Sequence, residues 1–126
     1  MQKPMREMRN VVNFKDADFK TYGLQGSDQS DLSWCNISYD EKTGNGAFII
    51  KFDPGGVSIE HEHLGFEEFV LLEGDLTDHD GYRYNVGDVV SLPSGSRHRT
   101  VSENGAIVAV FVRDGFRTLS SGEEMP

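Results

Sequence analysis

Cysteine is almost missing from this sequence: Cys35 is the only one in 126 residues. One thiol forms no internal disulfide, and no multi-cysteine zinc site can be assembled around it. Positive charge is also scarce. Lys and Arg total 12 against 21 Asp and Glu, giving a net charge of −9. No run of basic residues forms a stripe, so binding to nucleic acid or to an anionic membrane is not expected. Long hydrophobic runs are missing too. None approaches the ~20 residues that span a bilayer. The first ten residues set Lys3, Arg6 and Arg9 among polar neighbours, without the apolar core of a signal peptide. These absences lead to the expectation of a cytoplasmic protein.

What is present describes a globular chain, 37% apolar and 26% charged. Its length favours one domain, able to bury about two-thirds of its unfolded surface without covalent staples. The 14 glycines fall mostly where turns are expected, which suggests an all-β fold. Residues 1–30 read as an N-terminal arm packed on a barrel or on a partner subunit. Within it, 11–14 is a candidate short strand, 16–19 a helical turn or acidic loop, and 26–30 a polar loop. Residues 31–126 read as the barrel itself. Strands are expected at 32–39, 47–52, 57–63, 67–73, 75–77, 82–84 and 89–92, with a final hairpin of 98–102 and 106–113 about Asn104-Gly105. The run 106–112 is apolar on both faces, as are Val70 and Leu72 beside Glu67. Both sides of those strands therefore need cover, and a homodimer is expected to supply part of it.

The stretch GGVSIEHEHLGFEEFVLLEG, residues 55–74, carries the chemistry. In a strand, Val57, Ile59, His61 and His63 share one face, because side chains two apart point the same way. Two imidazoles then enter an apolar interior, where they need partners, and a metal ion is a good one. Glu67, Phe69 and Leu71 form the inward face of the next strand. After the turn at Pro93 to Gly95, His98 enters a further strand, with Arg97 and Arg99 on the opposite face. The candidate ligands are His61, His63, Glu67 and His98. Alone, His61 and His63 would more often be a polar pair on a strand, and a bulge would exchange Glu67 for Glu68. His79 reads as a solvated turn residue, Cys35 as a small buried one. Phe66, Trp34, Tyr82 and Tyr84 read as core or barrel wall.

The spacing Gly55-x5-His61-x-His63-x3-Glu67-x6-Gly74, followed by Gly87-x5-Pro93-x-Gly95-x2-His98, resembles the two signatures of the cupin superfamily. The resemblance covers residues 43–113. It implies a double-stranded β-helix, or jelly-roll barrel, and one divalent metal held by His61, His63, Glu67 and His98. Ser102 stands where the family usually ends its second signature in Asn. Residues 65–98 are similar to the cupin-like domain of ChrR-type anti-sigma factors, which suggests zinc or another transition metal. The helical zinc-binding domain of those proteins has no counterpart in residues 1–30. Small relatives of this layout also include dioxygenases of diketone or hydroxyacetophenone substrates. The resemblance thus implies a metal-dependent oxygenase-type enzyme acting on a small oxygenated organic molecule, a non-catalytic sensory module, or a structural dimerisation barrel. The metal, whether Zn, Fe, Mn or Ni, decides among reaction classes, since zinc has no redox chemistry.

Overall fold

The computed structural model describes residues 2–23 and 29–126. After a single helical turn, α1 (Met5–Met8), the chain is all β. The strands are β1 (Lys20–Tyr22), β2 (Gln29–Asn36), β3 (Gly46–Phe52), β4 (Val57–His63), β5 (Glu67–Gly74), β6 (Leu76–Asp78), β7 (Arg83–Tyr84), β8 (Val89–Leu92), β9 (Arg97–Val101), β10 (Ala106–Val112) and β11 (Phe116–Thr118). Aromatic and β-branched residues dominate β3 and β10, and such side chains suit a pleated, half-buried surface.

Two antiparallel sheets face each other. The larger has the order β1-β2-β3-β10-β5-β8, the smaller β11-β4-β9-β6-β7. From β3 onward the chain changes sheet at nearly every connection, and β6–β7 is the one pair of successive strands that stays together. This is the jelly-roll barrel implied by the cupin resemblance. The inner face of the larger sheet supplies most of the core: Phe48, Ile50 and Phe52 from β3, Phe69 and Leu71 from β5, Val108 and Val110 from β10.

Gly74 is one of the points at which the chain crosses between sheets. Its φ of 87° is in the left-handed region, and a Cβ there would overlap the Gly105 carbonyl oxygen. Only glycine satisfies both demands.

Three expectations are corrected. The hairpin of 98–102 with 106–113 does not form, because β9 pairs with β4 and β6 while β10 pairs with β3 and β5. β10 is apolar on both faces and so takes a central place in the larger sheet, and Asn104-Gly105 joins two sheets rather than two neighbours. A bulge in β4 lies between Ser58, opposite Thr100, and His61, opposite His98. It puts Ser58 on the inner face and leaves Val57 opposite Val101, on the other side. Tyr82, read as core or wall, is 59% exposed.

In the arm, residues 11–14 contain no strand, and a turn spans 14–16. The expected polar loop at 26–30 lies outside the described residues as far as 28, while Gln29 and Ser30 open β2. The arm adds β1 to the larger sheet and is tied to it by Asn10, whose Nδ2 donates to the Ile37 carbonyl. No helix among the described residues is long and apolar enough to cross a membrane.

Candidate metal centre

The site is built from both sheets. His61 and His63 stand on β4, His98 stands directly across on β9, and Glu67 comes from the first residue of β5 in the opposite sheet. Alternation along β5 buries Glu67, Phe69 and Leu71 and leaves Glu68 exposed, so Glu67 and not Glu68 is the inward carboxylate. One ligand atom from each of His61, His63, Glu67 and His98 lies within 4.8 Å of the other three. The structure therefore brings together all four residues singled out by sequence.

Hydrogen bonds decide which ring nitrogens are free. His61 Nδ1 lies 2.8 Å from the Ile59 carbonyl oxygen. A carbonyl only accepts, so Nδ1 carries the proton. His98 Nδ1 lies 3.1 Å from Asp78 Oδ1, and it is the donor for the same reason. Ser96 Oγ donates to the Pro93 carbonyl, so its lone pair accepts from His63 Nδ1 at 2.9 Å. Each imidazole thus spends its proton outward and turns a bare Nε2 inward. His61 Nε2 and His98 Nε2 are 3.1 Å apart. His63 Nε2 is buried without a hydrogen-bond partner, 3.1 Å from Glu67 Oε2.

Lone pairs facing one another at this distance in a buried site repel unless a proton or a metal ion lies among them. Burial, followed by positive charge at His98, pushes the His61 pKa down to about 4, so this imidazole is neutral near pH 7. Burial pushes the Glu67 carboxyl up, but the contact with His63 and the electrostatic pull of the three surrounding imidazoles outweigh it and hold it below the ordinary value. At His98 burial opposes the cation, while Asp78 and Glu67 favour it more and raise the pKa. With three neutral imidazoles and one carboxylate, a divalent ion would leave the group at about +1. The donor set fits a first-row divalent metal.

A cavity of about 70 Å³ opens beside these donors. Phe48, Ile50, Phe52, Val108 and Val110 form much of its wall, and His61, Glu67 and His98 line it. The hydroxyls of Tyr22, Ser58 and Thr100 are the other polar side-chain groups there, and no Lys or Arg lines it among the described residues.

Sequence reasoning missed Tyr22, Ser96 and Asp78. Ser96 sits two residues before His98 and Asp78 at the end of β6, and only the folded chain brings them to the imidazoles. Arg97 faces away from the site, as expected, with its Nε 2.8 Å from Glu62 Oε1. His79 lies in the β6–β7 turn, where its Nε2 contacts the Pro126 backbone oxygen.

Fold and site together define a cupin with a His/His/Glu/His group. Residues 7–115 match the family model of the ChrR cupin-like domain, and the chain belongs to that family. Among solved structures, the acetylacetone dioxygenase of Acinetobacter johnsonii aligns with a TM-score of 0.77 at 14% identity, over 93% of this chain and 82% of that one. The polyketide cyclase RemF of Streptomyces resistomycificus aligns at 0.71 and 18%, over 92% and 89%. ChrR of Rhodobacter sphaeroides, solved in complex with SigE, aligns at 0.57 and 22%, over 79% and 51%. At these identities the likeness is one of fold, which hosts different functions. No curated protein matches the chain.

Proposed function

We propose that this chain is a mononuclear metal-dependent enzyme of the oxygenase type, acting on a small oxygenated organic molecule. One observation carries this reading: three inward Nε2 lone pairs and the Glu67 carboxylate converge at the wall of a small apolar cavity. His61, His63, Glu67 and His98 would hold the ion. When bound, a divalent metal supplies Lewis-acid polarisation of a chelating oxygen and, if it is iron, manganese or nickel, access to redox chemistry.

The chain's own residues do the rest. Phe48, Phe52 and Val110 exclude water from the cavity. The wall offers an ionic substrate no Lys or Arg as counter-charge, which favours a compact, largely apolar ligand. The hydroxyls of Tyr22 and Ser58 are available to orient it. Apolar residues on the outer face of the larger sheet, among them Phe111 at 47% and Val89 at 77% exposure, support a homodimer as the working form.

The test is metal analysis of protein prepared without added metal, then oxygen uptake by the iron-loaded form with diketones and dihydroxyaryl ketones. Uptake that disappears in His61→Ala is the expected result. Silence across a broad panel with every metal would end the oxygenase reading. The family match to the ChrR cupin-like domain favours a second reading, a non-catalytic sensory module. That module would retain tightly bound zinc and turn nothing over.

A further inference from the structure

Each imidazole of the cluster donates its outer proton to a different kind of acceptor. His61 uses a backbone carbonyl of its own strand and His63 uses a neutral serine. His98 alone uses a charged side chain, Asp78. That carboxylate stands at the end of β6 with its side chain only 10% exposed. Both of its oxygens are engaged. Oδ1 accepts from Thr100 Oγ1 at 3.0 Å as well as from His98, and Oδ2 accepts from the Tyr84 hydroxyl at 2.5 Å. Tyr84 belongs to β7, and its ring is fixed edge-on against Phe69.

With Tyr84 and Thr100 both donating, Asp78 acts as an acceptor toward all its partners. In its neutral, metal-ligating form His98 therefore presents Nδ1–H outward and a lone pair on Nε2 inward. An anionic acceptor behind an imidazole also makes its far nitrogen a stronger base and a better ligand.

We propose that Asp78, clamped by Tyr84 and Thr100, is a positioning residue that sets how tightly His98 holds the metal. This rests on the metal reading of the cluster. Asp78 reaches the ion through His98, not directly, so its removal is expected to weaken binding without changing the number of ions held at saturation.

The experiment compares wild type with Asp78→Asn, Tyr84→Phe and Ser96→Ala. It measures zinc affinity by chelator competition, melting of the metal-free protein, and histidine tautomers by long-range ¹H–¹⁵N spectra. Asp78→Asn keeps the size but offers an amide that can face His98 with either end. It is expected to weaken zinc about 10–100-fold and to populate the Nε2–H tautomer of His98 in the metal-free protein. Tyr84→Phe keeps the carboxylate but loses one clamp, and a smaller loss in the same direction is expected. Ser96→Ala is expected to alter the His63 tautomer and leave His98 unchanged.

A purely structural Asp78 would lower the melting temperature while affinity and the His98 tautomer stayed as in wild type, which overturns the proposal. If Asp78→Asn does not fold, unchanged zinc affinity in Tyr84→Phe overturns it equally. Wild-type protein that binds no zinc or other divalent metal removes the metal reading itself, an outcome distinct from an unaltered variant beside a binding wild type.

Discussion

Glu67 is the residue on which the centre's charge depends. It is the only anion among the four converging groups and is 9% exposed. Glu67→Gln keeps the shape and removes the charge, leaving a divalent ion at about +2 in an apolar cavity. Metal affinity is expected to fall by at least about 100-fold, or roughly 3 kcal/mol, read by chelator competition. Glu68→Gln, on the exposed side of the same strand, is expected to leave affinity unchanged. Equal effects from the two would mean that the inward assignment is wrong. The contrast was open to a reader of the sequence, since alternation puts Glu67 with Phe69 and Leu71. The proton positions on the three imidazoles were not. They depend on Ile59, Ser96 and Asp78, whose distances from the rings are products of strand pairing.

At the scale of the element, connections between sheets matter more than hairpins. Gly74→Ala forces a Cβ onto the Gly105 carbonyl at a positive φ. The expected loss is about 3 kcal/mol or more, close to 10 °C in melting temperature for a chain of this size. A change below about 2 °C would contradict the crossing described for this strand.

The C-terminal segment gives a pH-dependent counterpart. Glu123 pairs with Arg117 at 2.8 Å and accepts from the Ser120 backbone. Arg117 first, then that backbone bond, depress its pKa to about 2. Because the folded value lies below the ordinary one, the pairing's contribution is complete above about pH 4.5 and is lost as pH falls toward about 2. Protection of the 119–125 amides, taken relative to intrinsic exchange at each pH, is expected to fall through that window, and in Glu123→Gln it is expected to stay nearly constant. The pair is partly exposed, so added salt should shrink the difference.

For the molecule as a whole, the site joins the two layers. Three ligands belong to the smaller sheet and one to the larger, so a bound ion would fasten the barrel's faces together at one point. At a metal concentration 100 times Kd, binding adds about 2.7 kcal/mol. A chelator is then expected to lower the melting temperature by about 10 °C, and the same treatment should do little to a protein with His61, His63, Glu67 and His98 all changed to Ala. Failure to see any chelator effect on metal-loaded wild type would show that the ion does not bridge the sheets.

The sequence by itself determined the class of fold, the four converging residues and the inward choice of Glu67, because these follow from local rules. A period of two sets faces, glycines mark turns, and the His and Glu spacing lies within two short stretches. Tertiary structure alone decided which strands are neighbours. Asn104-Gly105 has the composition of a hairpin turn, yet its flanking strands lie in different sheets, since a strand apolar on both faces gains more from a central position than from its sequence neighbour. It also decided the bulge that exchanges Val57 for Ser58, and the meeting of Asp78 with His98 across 20 residues. Such long-range pairings are fixed by how whole strands bury their surface, and no single stretch of chain encodes them.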